Sequence, residues 1–180
     1  MTKKTLNLME ALRKQWPHPD YAFISEFRGG TGWAVESRVD AIAMDLWPSR
    51  GLELIGFEVK TSRADWLKEL KQPEKADPLK QFCDKWYLVT DDSEIVNTWK
   101  NEIPEDWGYM HLESHTKYTT NPTFKLYKEA PKLNPKPIDR HFLASLMRLA
   151  SNPFDEVIIN GRKYSTAQHN LLNQTKTNER

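Results

Sequence analysis

Glu58 and Lys60 are placed in the sequence so that their side chains can act together. They lie two residues apart near the end of the segment 52–60, LELIGFEVK, which is predicted to be a β-strand. Side chains on a strand alternate between its two faces, so both point to the same face near the carboxyl end of the strand. The opposite face is wholly apolar, as burial requires, and is formed by Ile55, Phe57 and Val59.

A second carboxylate, Asp40, is predicted to join them. It lies near the start of another predicted strand, 38–46, which the turn 47–51 connects to the first. In such a hairpin the start of one strand lies beside the end of the other, so Asp40 can approach Glu58. Carboxylate oxygens suit Mg²⁺, and a bound divalent ion acidifies water and neutralises phosphate charge. With a lysine ammonium nearby, the chemistry that these groups suit is hydrolysis of a phosphodiester.

This arrangement resembles the PD-(D/E)XK nuclease superfamily, in which an Asp is followed by an E-x-K strand. The downstream sequence is similar to the compact MmcB-like DNA-repair branch, where the E-x-K strand leads into a S-x-x-D-[FW] helix start. A segment with lysine and proline and a C-D-x-x-[YF] strand then follow. The matching positions here are Ser62, Asp65, Trp66, Lys71, Pro73, Cys83, Asp84 and Tyr87. The residue before Asp40 is Val39, where the superfamily name has proline.

The resemblance implies an α/β fold with a restriction-endonuclease-like core, a central mixed β-sheet flanked by helices. It implies that Asp40, Glu58 and the backbone carbonyl of Val59 hold Mg²⁺, with Mn²⁺ as a substitute. Lys60 would be the catalytic lysine, and Glu26 a further acidic residue of the catalytic site. The implied activity is metal-dependent hydrolysis of DNA in repair, defence or mobile-element processing.

Other interpretations are left open. The chain could be a nucleic-acid-binding or partner-docking module that has the nuclease fold and does not cleave. Two carboxylates beside a phosphate argue against this, because they repel it when no metal is present. A third interpretation is a metabolic or regulatory α/β protein in which Glu58 and Lys60 form a coincidental ion pair. Glu26 could simply be an exposed strand residue.

Basic residues cluster around the predicted site, although the formal net charge of the chain is only +1. Phosphate contacts dominate the affinity of proteins for nucleic acid, so a local basic surface is expected to contact DNA. The residues predicted to form it are Arg28, Arg38, Arg63, Lys71 and Lys75. Alternatively, the lysines form a solvated helix face. Trp33, Trp47 and Trp66 could stack on bases, although Trp66 and Trp86 suit the core better.

The 180 residues fit one domain, which we predict over 1–164, followed by a polar, flexible tail over 165–180. The single cysteine, Cys83, excludes an internal disulfide and a cysteine-based zinc site, and favours a reducing cytoplasm. No stretch approaches the roughly 20 apolar residues of a membrane span, so no membrane association is expected. One chain would hold one site and cut one strand; a homodimer or a partner protein is left open.

Apolar periodicity and proline positions define the remaining elements. Helices are predicted over 3–16, 63–71, 76–84, 93–101 and 138–150. Strands are predicted over 21–28, 38–46, 52–60, 85–90, 108–113 and 123–128. A flexible connection is expected over 29–32 and a small hairpin over 156–164. The last long helix is predicted to have one apolar face, formed by Phe142, Leu143, Leu146, Met147 and Ala150.

Overall fold

The computed structural model describes residues 2–28, 38–114, 121–150, 157–159 and 162–164. The chain forms two compact units, Met1–Ser145 and Leu146–Arg180. The first contains a six-stranded sheet with its helices, and the second contains a two-stranded hairpin. The division falls inside the last helix, whereas the sequence predicts a boundary after residue 164. The predicted tail, 165–180, and the predicted connection 29–32 lie outside the described residues.

The elements follow the predicted order. The helices are α1 Lys3–Gln15, α2 Arg63–Glu69, α3 Asp77–Lys80, α4 Ser93–Thr98 and α5 Arg140–Ala150. The strands of the first unit are β1 Tyr21–Arg28, β2 Arg38–Asp45, β3 Leu54–Lys60, β4 Lys85–Thr90, β5 Gly108–Ser114 and β6 Thr123–Lys128. The hairpin of the second unit consists of β7 Val157–Ile159 and β8 Arg162–Tyr164.

Two predicted helices are shorter than the sequence suggests. In place of a helix over 76–84, a 3-10 turn at Pro73–Ala76 leads into the four residues of α3. The amides of Phe82 and Cys83 then bond to carbonyls three residues back, a tighter pattern that ends the helix. Similarly, the predicted helix 93–101 is α4 followed by a 3-10 turn at Trp99–Asn101.

The sheet has the strand order β1-β2-β3-β4-β5-β6. Neighbouring strands are antiparallel from β1 to β3, parallel from β3 to β5, and antiparallel between β5 and β6. The parallel pairs require crossover connections, which contain α2 and α3 after β3 and α4 after β4. The predicted fold, α/β with a central mixed sheet flanked by helices, is therefore confirmed. Glu58 and Lys60 lie near the carboxyl end of β3, on the sheet edge where β4 and β5 also end.

One face of the sheet packs against α1. Leu8 and Leu12 of this helix lie in a core cluster with Ile55, Phe57 and Val59, the face predicted to be apolar. Trp16, just after α1, approaches Phe57 with ring centroids 4.7 Å apart. Burial of this face commits the alternate side chains of β3, including Glu58 and Lys60, to the other face of the sheet.

That other face carries buried aromatic residues from β4 and from the crossover segments. Trp66 of α2, Trp86 of β4 and Trp107 before β5 are all buried, and the Trp107 ring contacts both of the others. A Cβ atom on Gly56 would lie 2.2 Å from the Trp86 ring, so only glycine fits at this position. The prediction of a core role for Trp66 and Trp86 is confirmed.

The apolar face predicted for α5 is buried only in part. Phe142 packs against Phe27 and Phe82, with ring centroids 5.0 and 4.8 Å apart, and Ser145 is also buried. Leu143 and Met147 remain 48% and 59% exposed. A helix that turns Phe142 and Ser145 inward directs positions one and two residues further on away from the core. Across the described residues, no helix has both the length and the apolar character that crossing a bilayer requires.

Candidate active site

The site lies where β2 and β3 separate. The two strands pair regularly from Met44 with Leu54 to Ala41 with Phe57, and the next position of this register would pair Asp40 with Glu58. Instead, the Asp40 side chain bonds to the backbone of β3: its Oδ2 accepts a hydrogen bond from the Val59 amide at 2.8 Å. The carboxylate thus satisfies the amide where the two strands part, and a cavity opens at this point.

The cavity has a volume of about 450 Å³ and contains the two predicted carboxylates. Its lining residues are Arg38, Asp40, Glu58, Glu69, Lys75, Ala76 and Pro78. Asp40 comes from β2, Glu58 from β3 and Glu69 from the last turn of α2. The structure therefore brings Asp40 and Glu58 together, as the hairpin predicts, and adds a third carboxylate.

Lys60 lies between two of these carboxylates. Its Nζ donates to Glu58 Oε1 at 2.5 Å and to Glu69 Oε2 at 2.8 Å, and its side chain is only 14% exposed. Burial lowers the pKa of Lys60, but attraction to Glu58 and Glu69 and the hydrogen bonds to them outweigh this and raise the pKa above its usual range. The two carboxylates therefore favour the charged, ammonium form of the lysine.

Burial and neighbouring negative charges destabilise the ionised forms of Glu58 and Asp40. Burial, followed by the negative charge of Asp40, raises the pKa of Glu58 to about 7, although Lys60 opposes this. Burial also raises the pKa of Asp40, against the hydrogen bond from Val59 and the attraction of Lys60 and Arg38. Such shifts arise where carboxylates are desolvated close together, and they are common at functional sites. A further positive charge in the cavity would stabilise the ionised forms.

Glu69 was not singled out in the sequence, because nothing in the strand pattern connects it to Lys60. The helix that carries Glu69 does have features that the sequence indicates, namely its cap and its buried anchor. Ser62 caps α2 by accepting a hydrogen bond from the Asp65 amide at 3.3 Å, and Trp66 anchors the helix in the core. Residues three apart share a helix face, so Glu69 follows Trp66 on the side that faces the sheet.

Glu26 is not among the described residues that line the cavity, and it is connected to the cavity through Arg38. Its Oε1 accepts a hydrogen bond from Arg38 Nη2 at 2.8 Å, and Arg38 is the residue that lines the cavity. In the β1–β2 ladder, Ser25 pairs with Ala41 and Phe27 with Val39, so Glu26 is left out. Its φ of 53° lies in the left-handed region, which is uncommon for residues other than glycine. This local distortion directs Glu26 toward Arg38.

Two of the five residues predicted to contact DNA line the cavity, Arg38 and Lys75. Arg63 does not, because its guanidinium bonds to Glu102 at 2.5 and 2.8 Å and to the Thr98 hydroxyl. Arg28 and Lys71 are exposed, and neither is among the described residues that line the cavity.

The tryptophans offer no described stacking surface at the cavity. Trp66 is buried, which excludes the predicted role for it in base stacking. Trp47 is 49% exposed, but it follows β2 at the far end of the hairpin, where its Nε1 donates to Asp20. Trp33 lies outside the described residues. Cys83 is buried, as predicted, and burial raises the pKa of its thiol to about 12.

Within the described part of the chain, no three or more His, Cys, Asp or Glu side chains are arranged to hold a metal ion. The ligand set that the resemblance implies is smaller: the carboxylates of Asp40 and Glu58 and the carbonyl of Val59. All three are hard oxygen ligands, and Mg²⁺ keeps several waters when few protein ligands are offered. The buried Asp40 and Glu58, whose ionised forms are destabilised, therefore fit Mg²⁺ by donor chemistry.

Comparison with known proteins supports the fold. No family model matches the chain, and no curated protein matches it. A solved structure of a protein of unknown function from Silicibacter pomeroyi is similar, with a TM-score of 0.57 and 17% sequence identity. The alignment covers 83% of this chain and 86% of that chain. The two proteins therefore share a fold over most of their length.

Proposed function

We propose that this chain is a metal-dependent deoxyribonuclease of the PD-(D/E)XK type. One observation carries the proposal: Asp40 and Glu58 line the same cavity, and Lys60 is held against Glu58 at 2.5 Å. A mixed sheet flanked by helices is the fold that the resemblance implies. The alternate face of β3 is buried, so that Glu58 and Lys60 are directed to the cavity side.

Asp40, Glu58 and the Val59 carbonyl would hold Mg²⁺, or Mn²⁺ in its place. When bound, such an ion lowers the pKa of a water and neutralises charge on the phosphate. Lys60 would donate hydrogen bonds to the attacking water or to a phosphate oxygen as negative charge develops there. Arg38 and Lys75 would attract the DNA backbone to the cavity.

The reaction is the addition of water to one phosphodiester. The water oxygen bonds to phosphorus, and the bond from phosphorus to one sugar oxygen breaks. The water gives up a proton, and the leaving sugar oxygen gains one. With one such cavity in the described part of the chain, a single copy would cut one strand, and cutting both would require a homodimer or two encounters. We place this activity in the cytoplasm, in repair, defence or mobile-element processing.

A DNA-binding or partner-docking module that does not cleave is the second candidate. The observation that favours it is that the described residues contain no metal group of three side chains. Its weakness is electrostatic: without a cation, Asp40, Glu58 and Glu69 would repel a phosphate that entered the cavity.

Cleavage of a panel of labelled DNAs separates the two candidates. Linear duplex, single-stranded, flapped and junction DNA would be incubated with Mg²⁺ or Mn²⁺ and with wild type, Lys60→Ala or Asp40→Asn. Lys68→Ala is the matched control, because Lys68 is an exposed lysine that pairs with Asp65 on the surface of α2. We expect wild type and Lys68→Ala to cut, and the two site variants to be slower by about 100-fold or more. Tight binding without cutting would favour the binding module.

A further inference from the structure

We propose that Glu69 is a positioning residue that holds the Lys60 ammonium at the cavity while Glu58 is engaged by the metal ion. This role rests on the proposed nuclease function. The resemblance assigns no role to Glu69, and the predicted ligand set does not contain it.

The contacts of Lys60 carry the inference. Its Nζ bonds to Glu58 and Glu69 at the same time, and the side chains of these two residues are 12% and 17% exposed. Charges that are buried to this extent are weakly screened by salt and water, so each carboxylate strongly affects the position of the ammonium. Glu58 and Glu69 both line the cavity, so the two carboxylates that hold the ammonium are ones that a bound ion or substrate would meet.

Glu58 is required for two tasks that compete. It is a partner of Lys60, and it is one of the two carboxylates proposed to hold the metal. A divalent cation on Glu58 would reduce the attraction of that carboxylate for the ammonium and would also repel the ammonium directly. A lysine side chain has four flexible carbons, so Lys60 would then leave its position unless a second anion held it.

Glu69 is placed to be that second anion because α2 is fixed at its first turn and at its middle. Ser62 caps the first turn, and Trp66 is buried against Trp107 with ring centroids 6.1 Å apart. The Trp66 Nε1 also donates to Glu102 at 3.2 Å. A carboxylate on a helix that is packed in this way can hold its partner more accurately than one on a loop.

The test compares Glu69→Gln, Lys60→Ala and the double variant with wild type. Asp65→Asn is the control, since Asp65 is an exposed acid one turn earlier on α2 that pairs with Lys68. The maximal cleavage rate at saturating Mg²⁺ should fall about 10- to 100-fold in Glu69→Gln, and the double variant should be no slower than Lys60→Ala, because both act through the lysine. Glu69→Asp, which keeps the charge, should recover part of the rate.

Binding of Mn²⁺ to the protein without DNA, followed by electron paramagnetic resonance, distinguishes positioning from ligation. We expect Glu69→Gln to change the Mn²⁺ affinity by less than about threefold, whereas loss of a metal ligand or its support costs about 10- to 100-fold. A tenfold weaker affinity in Glu69→Gln would overturn the positioning role. The positioning role would also be overturned if the double variant were slower than Lys60→Ala by the full factor that Glu69→Gln alone causes.

Lysine-selective NMR of the Nζ group gives a readout that does not depend on cleavage. The Lys60 signal should persist in wild type when Mg²⁺ is added, and it should be lost on addition of Mg²⁺ to Glu69→Gln. Persistence in the variant would overturn the proposal. If wild type cuts no DNA, the nuclease function fails, but the NMR comparison still supports or overturns the position that Glu69 gives to Lys60.

Discussion

The chemistry of single residues in the cavity follows from crowding of like charges. Asp40 and Glu58 are both harder to ionise, chiefly because of burial. The charge of Asp40 adds to this effect at Glu58, and the charge of Glu69 adds to it at Asp40. Lys60 offsets part of this, and it remains charged because two carboxylates surround it. A cation bound in the cavity, as we propose, would therefore stabilise the ionised forms of both carboxylates.

The raised pKa of Glu58 makes a prediction about stability in the absence of metal. The folded protein holds the Glu58 proton up to about pH 7, whereas the unfolded chain releases it near 4.5. This group therefore stabilises the fold most below pH 4.5, and its contribution is lost as the pH rises through 7. As the pH rises from 5 to 8, the free energy of unfolding of Glu58→Gln should therefore increase relative to that of wild type by on the order of 1–3 kcal/mol. Urea denaturation in the presence of EDTA at both pH values measures these free energies. The same difference between variant and wild type at pH 5 and at pH 8 would contradict the prediction.

The resemblance implies that Glu26 belongs to the catalytic site, but its contact with Arg38 suggests a role in DNA binding. Because Glu26 bonds to Arg38, Glu26→Gln should weaken DNA binding by about 3- to 10-fold through loss of an exposed, oriented ion pair. The affinity for Mn²⁺ should stay unchanged. Titrations of DNA and of Mn²⁺ with this variant and with Arg38→Ala make the comparison. A tenfold loss of Mn²⁺ affinity in Glu26→Gln would show that Glu26 supports the metal instead.

At the scale of elements, the site depends on how closely β3 and β4 pack. Gly56 of β3 lies opposite Trp86 of β4, and its missing side chain leaves room for the indole ring. Trp86 in turn packs against Trp107, so this contact positions buried aromatic residues on the face of the sheet that carries Glu58 and Lys60.

Gly56→Ala should therefore destabilise the fold by about 1–3 kcal/mol, since a methyl group at this position overlaps a buried ring. The free energy of unfolding, measured in urea, gives the cost. In the double variant Gly56→Ala/Trp86→Phe, the smaller ring leaves room for the added methyl group. The double variant should therefore lose less unfolding free energy than the two single variants lose together. Strict additivity would mean that Gly56 is required for another reason.

The elements also show which features the sequence could predict. Alternation of apolar residues was enough to place Glu58 and Lys60 on one face of β3, and hairpin geometry was enough to bring Asp40 to them. The contact between Lys60 and Glu69 was beyond such reasoning, because it depends on how α2 packs over the sheet. The exposed side of α5 was missed for a similar reason: periodicity shows an apolar face, but tertiary packing decides which part is covered.

Across the whole molecule, positive charge is distributed in a way that the net charge of +1 conceals. Arg38 and Lys75 line the cavity, whereas Arg63 is used inside the fold by Glu102. A list of basic residues near a motif could not separate these, because the ion pair joins segments far apart in the sequence.

This distribution predicts different effects of salt on two variants. Lys75→Ala should lower DNA affinity and reduce the slope of log affinity against log salt concentration by about 0.7–0.9, as expected for one lost phosphate contact. Arg63→Ala should leave the slope unchanged and lower the thermal stability instead, because the part-buried Glu102 loses its cationic partner. Fluorescence anisotropy at several salt concentrations measures the slopes. An equal change of slope in both variants would contradict the assignment of Arg63 to the fold.

The central claim is that Asp40, Glu58 and Lys60 form one catalytic centre for DNA hydrolysis. The most direct test is the single-turnover cleavage rate of the best DNA substrate as a function of Mg²⁺ concentration, for wild type and Glu58→Gln. We expect the rate to rise to saturation with Mg²⁺ in wild type and to be lower by about 100-fold or more in the variant at any Mg²⁺ concentration. Cleavage by Glu58→Gln at the wild-type rate would place the activity outside this cavity.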